Sequence, residues 1–151
     1  MNTLLAISAL LFTIFLMQAG SGALGPLDAL SAIEMGFTSA QIGTVGGAHF
    51  VGFIIGCIIS PPLVKRVGHA RAYGVVASLA IMAVILHPVL PYFWAWCMLR
   101  IFNGIAIAGS FTAIESWLNA KLNNKNRVRY FSFYRTIDMV GGLIAQTMII
   151  V

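Results

Sequence analysis

The sequence predicts an all-α transmembrane fold, and three observations predict it. Of 151 residues, 60% are apolar and only 9% are charged, with a mean hydropathy of +0.93. A soluble domain carries about 25% charged residues, so too few are present to cover a water-facing surface. The four acids and nine bases are also clustered: residues 1–27, 35–64, 72–99, 101–114 and 139–151 carry no charge at all. A spanning helix needs about 20 predominantly apolar residues, and the first three runs each exceed that. Finally, the basic residues gather in alternate connections between the apolar runs, which is the charge pattern of a multi-pass protein.

The expected helices are about 3–27, 39–61, 72–86, 92–118 and 131–151: four complete and the start of a fifth. The first has the small residues Ala19, Gly20 and Ser21, but lacks the basic leader of a signal peptide and is too long for one. Gly25-Pro26 weakens its far end, and residues 28–39 read as a polar outer connection holding Asp28 and Glu34 as solvated charges. Thr38 followed by Gln41 fits a capping box and opens the second helix, which Pro61-Pro62 is expected to end. Residues 63–71 read as a basic loop with Lys65, Arg66, His69 and Arg71. The third helix runs to a tight turn at residues 87–91. The fourth opens on Tyr92, Trp94 and Trp96, placed as an interfacial aromatic belt. Residues 119–130 form a second basic loop, with Lys121, Lys125, Arg127 and Arg129. The fifth segment is still apolar at Val151, so the chain reads as the N-terminal piece of a longer protein.

The two basic connections hold seven Lys/Arg and the other two hold none. The positive-inside rule places them, and the N-terminus, in the cytoplasm, with the bacterial cytoplasmic (inner) membrane as the expected location.

Polar groups within apolar helices are costly and mark function or packing. Arg100 lies about eight residues into the fourth segment and shares one helical face with Gly104, Ala108 and Glu115. Two readings stand: a residue of a solute or coupling pathway, or an arginine hydrogen-bonded to a neighbouring helix. Glu115 is near the cytoplasmic end and also reads as interfacial. Arg135, Asp138, Gly142 and Gln146 form a similar stripe in the fifth segment. Asp138 has three open roles: pairing with Arg135, titrating, or meeting Arg100 across the bundle. Gln18, Ser21, Gly22 and Gly25 line one face of the first helix, either against a wet cavity or in close helix packing. Gly43 and Gly47 lie on one face of the second helix and Gly52 and Gly56 on the other, as expected of a helix packed between two neighbours. His49 alone reads as a core residue.

Other chemistries find no support. There is no nucleophile triad, phosphate-binding glycine loop or HExxH motif, so no enzyme is expected. Cys57 and Cys97 have no second ligand at helical spacing, so they read as packing residues and no metal or cofactor is expected. The net charge of +5 borders apolar runs instead of forming a water-facing stripe, which argues against nucleic acid.

Two motifs carry a family resemblance. Residues 61–71 are similar to the loop two–three signature of the major facilitator superfamily (MFS), roughly G-x-L-a-D-r-x-G-r-k. Leu63, Arg66 and Gly68 match it; Pro61 replaces the first Gly and Lys65 the Asp. His69 and Ala70 replace the last two basic positions, and Arg71 follows one step on. Arg100-Ile101-Phe102-Asn103-Gly104 resembles the family's segment-four R-x-x-q-G pattern. The combination of Val67-Gly68-His69-Ala70-Arg71 with Ile114-Glu115-Ser116-Trp117-Leu118-Asn119 looks like the YcaD-type bacterial branch. The resemblance implies a twelve-helix transporter of two six-helix halves, with its site near the midplane and lined by helices one and four. It further implies secondary active transport of a small solute by alternating access. Arg100, Glu115, Asp138 and Gln18 are then the pathway candidates, with the bilayer, a solute, a coupling proton and the missing C-terminal part of the protein as partners. The rival reading is a small non-transporting membrane scaffold or assembly subunit.

Overall fold

The computed structural model describes residues 3–150, and Val151 lies outside them. Five helices follow in order: α1 (Thr3–Glu34), α2 (Ser39–Val67), α3 (His69–Val89), α4 (Phe93–Lys121) and α5 (Asn124–Ile150). No strand occurs among the described residues. The first four are long and apolar enough to cross a membrane. The fifth, which carries Arg127, Arg129, Arg135 and Asp138, is not among them.

Every connection is shorter than the charge pattern suggests. Hydropathy marks where water begins, whereas a helix continues into water as long as its backbone bonds and its packing persist. Thus α1 passes through Pro26 and ends at Glu34, and Asp28 is a helical residue only 6% exposed instead of a loop charge. Glu34 is exposed. Pro61 and Pro62 do not end α2. They remove two amide donors, but Val64 beyond them packs with Ala72 and Ala113, and this contact holds the last turn in place. The basic stretch 63–71 is therefore the end of α2, one residue, and the start of α3. Lys65 and Arg66 fall in the last turn of α2, where the helix dipole favours cations. Likewise α3 runs through His87-Pro88, and only residues 122–123 separate α4 from α5.

The capping box forms as expected: the Gln41 amide donates to Thr38 Oγ1 at 3.3 Å, and the Thr38 amide donates to Gln41 Oε1 at 2.9 Å.

Gly68, the single residue between α2 and α3, has φ 85° and ψ 161°. That region is open essentially to glycine alone and costs other residues about 1–3 kcal/mol. A Cβ there would meet nothing within 4 Å, so the penalty is purely backbone. Gly68→Ala is expected to lower the thermal midpoint of the full-length protein in detergent, while Ala70→Ser, one turn start away, leaves it unchanged. A parent-like midpoint for Gly68→Ala would show that the connection does not depend on this conformation.

The chain divides into two compact units, Met1–Asp28 with Leu118–Val151, and Ala29–Trp117. In the first, α1 meets α5 through small residues: a Cβ on Gly22 would lie 3.1 Å from Gly142 Cα, and one on Gly141 would lie 3.1 Å from the Phe15 carbonyl oxygen. Tyr134 is fully buried there, edge-on to Phe131.

The second unit is built around α4, of whose apolar window 67% is buried, against 17–28% for the other three spans. Near the N-terminal end of α4, Ala32, Val45, Ala48, Trp96 and Cys97 pack into one cluster. Tyr92 and Trp94 are exposed as belt residues should be, but Trp96 is not one of them. Two residues on from Trp94, it turns to the opposite side of α4. It is 3% exposed and donates its Nε1–H to the His87 carbonyl oxygen at 3.0 Å. His87 is also buried, its Nδ1 lying 2.6 Å from the Ala83 carbonyl oxygen. Cys97 is buried and Cys57 exposed, both as free thiols.

Candidate functional site

The closest approach within the second unit is between α2 and α4, and glycine makes it possible. A Cβ on Gly52 would run into the Ile101 carbonyl, and one on Gly56 would lie 2.7 Å from Ala108 Cβ. From the other side, a Cβ on Gly104 would run into the His49 carbonyl and lie 2.7 Å from the Phe53 amide nitrogen. Small residues on both partners let the backbones touch, which is how helices associate in lipid. Gly43, Gly46 and Gly47 behave differently: nothing lies within 4 Å of a Cβ built on any of them. The expectation of α2 wedged on both glycine faces therefore holds for one face only.

This crossing sets the polar groups at its level. Arg100 and Asn103 are 6% and 1% exposed on α4. Because the His49 backbone sits over Gly104, its half-buried ring lies within hydrogen-bonding reach of the Asn103 side chain and within the field of the Arg100 guanidinium. The Asn103 Nδ2 and His49 Nδ1 atoms are buried without a hydrogen-bond partner among the described residues. Phe53 and Phe111 close edge to face one turn further in, with ring centroids 6.3 Å apart. The result is an arginine, an amide and an imidazole at one level of the α2–α4 pair.

The expected candidates fall into separate places. Arg100, Asn103 and Gly104 are together on α4, with Ala108 buried on the same stripe; Glu115, near the far end of that helix, is half-buried. In the other unit, Gln18 of α1 lies against α5, its Cγ and Nε2 each 3.7 Å from where a Gly142 Cβ would stand. Asp138, one turn before Gly142, is buried, and its Oδ2 is 3.8 Å from Arg135 Nη1. Arg135 also lies over the Tyr134 ring, 5.1 Å from its centroid. Lys65, Arg66, Gly68 and Arg71 are exposed at the α2–α3 junction, with His69 half-buried among them. No group of three metal-ligating side chains occurs among the described residues.

Two residues escaped the sequence reading. In the sequence Asp28 reads as a loop residue because the proline two positions earlier resembles a stop. His49 looked isolated because its partners are on a helix some fifty positions away; the adjacent Gly52 and Gly56 mark its packed face, but not which helix packs there.

Four helices long and apolar enough to cross a membrane define a multi-pass membrane protein. The chain belongs to the Major Facilitator Superfamily, whose family model matches residues 10–149. It is 28% identical over 109 residues to the uncharacterized MFS-type transporter Ent638_1421 of Enterobacter sp. (strain 638), covering 72% of this chain and 28% of that protein. It is 25% identical over 143 residues to the uncharacterized MFS-type transporter YcaD of Salmonella arizonae, covering 95% of this chain and 37% of the relative. The YcaD of Salmonella newport matches at 25% over 140 residues, again 37% of its length. The chain thus spans about 28–37% of the length of these curated relatives. No solved structure matches the chain.

Proposed function

We propose that these helices form the N-terminal part of a secondary active transporter that moves a small solute across the bacterial inner membrane by alternating access. The observation that carries the proposal is the buried Arg100–Asn103 pair on the most enclosed spanning helix. A guanidinium in lipid is expensive, at about 2.5–3.5 kcal/mol for a central position on insertion scales. Groups retained at that cost face an interior where they have work to do. Membership in a transporter superfamily and similarity to MFS-type transporters support the same reading, and both favour transport over catalysis. Arg100 binds an anionic group of the solute or a coupling carboxylate; Asp138, Glu115 and Gln18 are the remaining pathway candidates, Asp138 and Glu115 with the option of carrying a coupling proton.

The test is charge movement. The full-length protein in vesicles on a solid-supported membrane should give a transient current when one of a panel of small solutes is added, and empty vesicles should give none. Silence across the panel, with correctly inserted protein, would favour the scaffold reading.

Orientation is checked separately. With Cys57 and Cys97 replaced, a cysteine at Met35 should react with an impermeant thiol reagent in intact cells. A cysteine at Ala70 should react only once the membrane is opened. Both positions are exposed, so the reverse pattern would overturn the cytoplasmic N-terminus.

A further inference from the structure

The junction of α2 and α3 leads into a groove that the proposed pathway does not use. Six α3 residues line it: Arg71 at one end, then Gly74, Val75, Ser78, Leu79 and Met82 along the helix. All but Leu79 are exposed. The groove has a volume of about 670 Å³, within the range of about 300–1,000 Å³ that small-molecule sites occupy. The hollow forms because Gly74 and Ser78 carry little bulk, and nothing lies within 4 Å of where a Gly74 Cβ would stand. Ser78 donates its hydroxyl to the Gly74 carbonyl oxygen at 2.9 Å. The one hydroxyl of the groove is thus satisfied within the helix, and the lining beyond Arg71 is apolar. From Arg71 to Met82 the helix rises about 16 Å, which is one leaflet of a hydrocarbon core about 30 Å thick.

We propose that this groove binds one acidic phospholipid, its phosphate on Arg71 and an acyl chain laid along Gly74, Ser78 and Met82. The occupant needs an anion at one end and a hydrocarbon tail of one leaflet's length, a combination found in a lipid and not in a free phosphate. Arg71 suits the phosphate because its planar guanidinium offers two parallel donors. Charge selects an acidic head over a zwitterionic one. Lys65, Arg66 and Arg71 are all exposed at this end of α2 and α3. None of the three is in an ion pair among the described residues. Lys65 stands where the loop two–three signature carries Asp, and residues 35–114 hold no Asp or Glu at all. Glu115 of α4 follows Ala113, which packs on Val64 and Ala72 at the junction. That one acid is half-buried, makes an interaction of its own, and faces three bases. The balance stays positive, so the ammonium of a zwitterionic head would meet like charge here. The site requires a bilayer and no solute movement, so it stands apart from the transport reading.

The test is native mass spectrometry of the full-length protein, delipidated in detergent and mixed with phosphatidylglycerol or with phosphatidylcholine of identical acyl chains. The parent should retain one phosphatidylglycerol at several-fold lower concentration than phosphatidylcholine. Arg71→Gln should need about fivefold more phosphatidylglycerol, the worth of one basic residue at an acidic lipid surface. Ser78→Leu leaves every charge in place but fills the hollow, and should lose the tightly held lipid. Gly74→Leu reads the same hollow should Ser78→Leu fail to fold. Lys121→Gln, at the other basic connection, should bind like the parent. Glycerol phosphate, a head group without chains, should not compete. Several results would each overturn the proposal: equal retention of the two lipids, an undiminished preference in Arg71→Gln or in a folded groove-filled variant, or an equal loss in Lys121→Gln. Full competition by glycerol phosphate would do so too. So would a parent that retains no lipid, as when a further segment of the protein or a second copy covers the groove.

Discussion

Arg100→Ala should abolish solute-driven current in the full-length protein while leaving membrane insertion at or above the parent level. Removing the charge makes insertion easier, because a central arginine costs about 2.5–3.5 kcal/mol on insertion scales. On the proposed role, what is lost is a buried, charge-assisted contact with the solute or the coupling group. Truncating one member of such a contact costs about 2–5 kcal/mol, roughly thirtyfold or more in apparent affinity at about 1.4 kcal/mol per tenfold. Arg100→Lys should recover little of it, because an ammonium cannot reproduce the planar two-pronged geometry. Current and membrane level need to be measured on the same vesicles. Parent-like current from Arg100→Ala would remove Arg100 from the pathway. Loss of the protein from the membrane would instead make the arginine a structural tie between helices, which is the alternative open at the level of sequence.

The largest expected effect on stability is at Gly104. A Cβ there would run into the His49 carbonyl and approach Gly52 C at 3.0 Å. Those obstacles are backbone, so no rotamer change relieves them, and α2 must move off α4. Overpacking a tight contact costs about 1–3 kcal/mol and occasionally more; with backbone on both sides, Gly104→Leu is expected at or beyond about 3 kcal/mol. Gly46→Ala is the control, because nothing lies within 4 Å of its Cβ, and it should leave the thermal midpoint unchanged. Thermal unfolding of the full-length protein in detergent separates the two. Equal midpoints for both variants would mean that the α2–α4 contact is looser than the glycines indicate.

The same glycines show how far the sequence could be read. Three of the helices follow from charge-free runs longer than a bilayer requires, because lipid admits few other solutions; α4 and α5 are read from the shorter runs 101–114 and 139–151. Thr38 with Gln41 announced the start of α2, since a capping box is a local device whose parts lie three residues apart. Helix ends were harder to read. Pro26 and Pro61-Pro62 look like stops locally, yet packing beyond them, as at Val64 against Ala72 and Ala113, carries the helices through. Trp96 departs from the belt for a related reason: composition groups it with Tyr92 and Trp94, while the helical turn sends it inward to His87. At the candidate site, Arg100 and Asn103 were legible because one helix carries both. His49 was not, because its partners depend on how α2 registers against α4, and no local signal encodes that register.

The proposal tested here is that Arg100, buried on α4, faces a water-filled solute pathway. The most direct measurement is made on full-length protein with Cys57 and Cys97 replaced and a cysteine at His49. Two membrane-impermeant methanethiosulfonate reagents of similar size are compared, one bearing a sulfonate and one a trimethylammonium. If the claim holds, the cysteine reacts with both, several-fold faster with the sulfonate because of the Arg100 field, and the preference disappears when Arg100→Ala is added. No reaction with either reagent from either side of the membrane, or equal rates whether or not Arg100 is present, would contradict it.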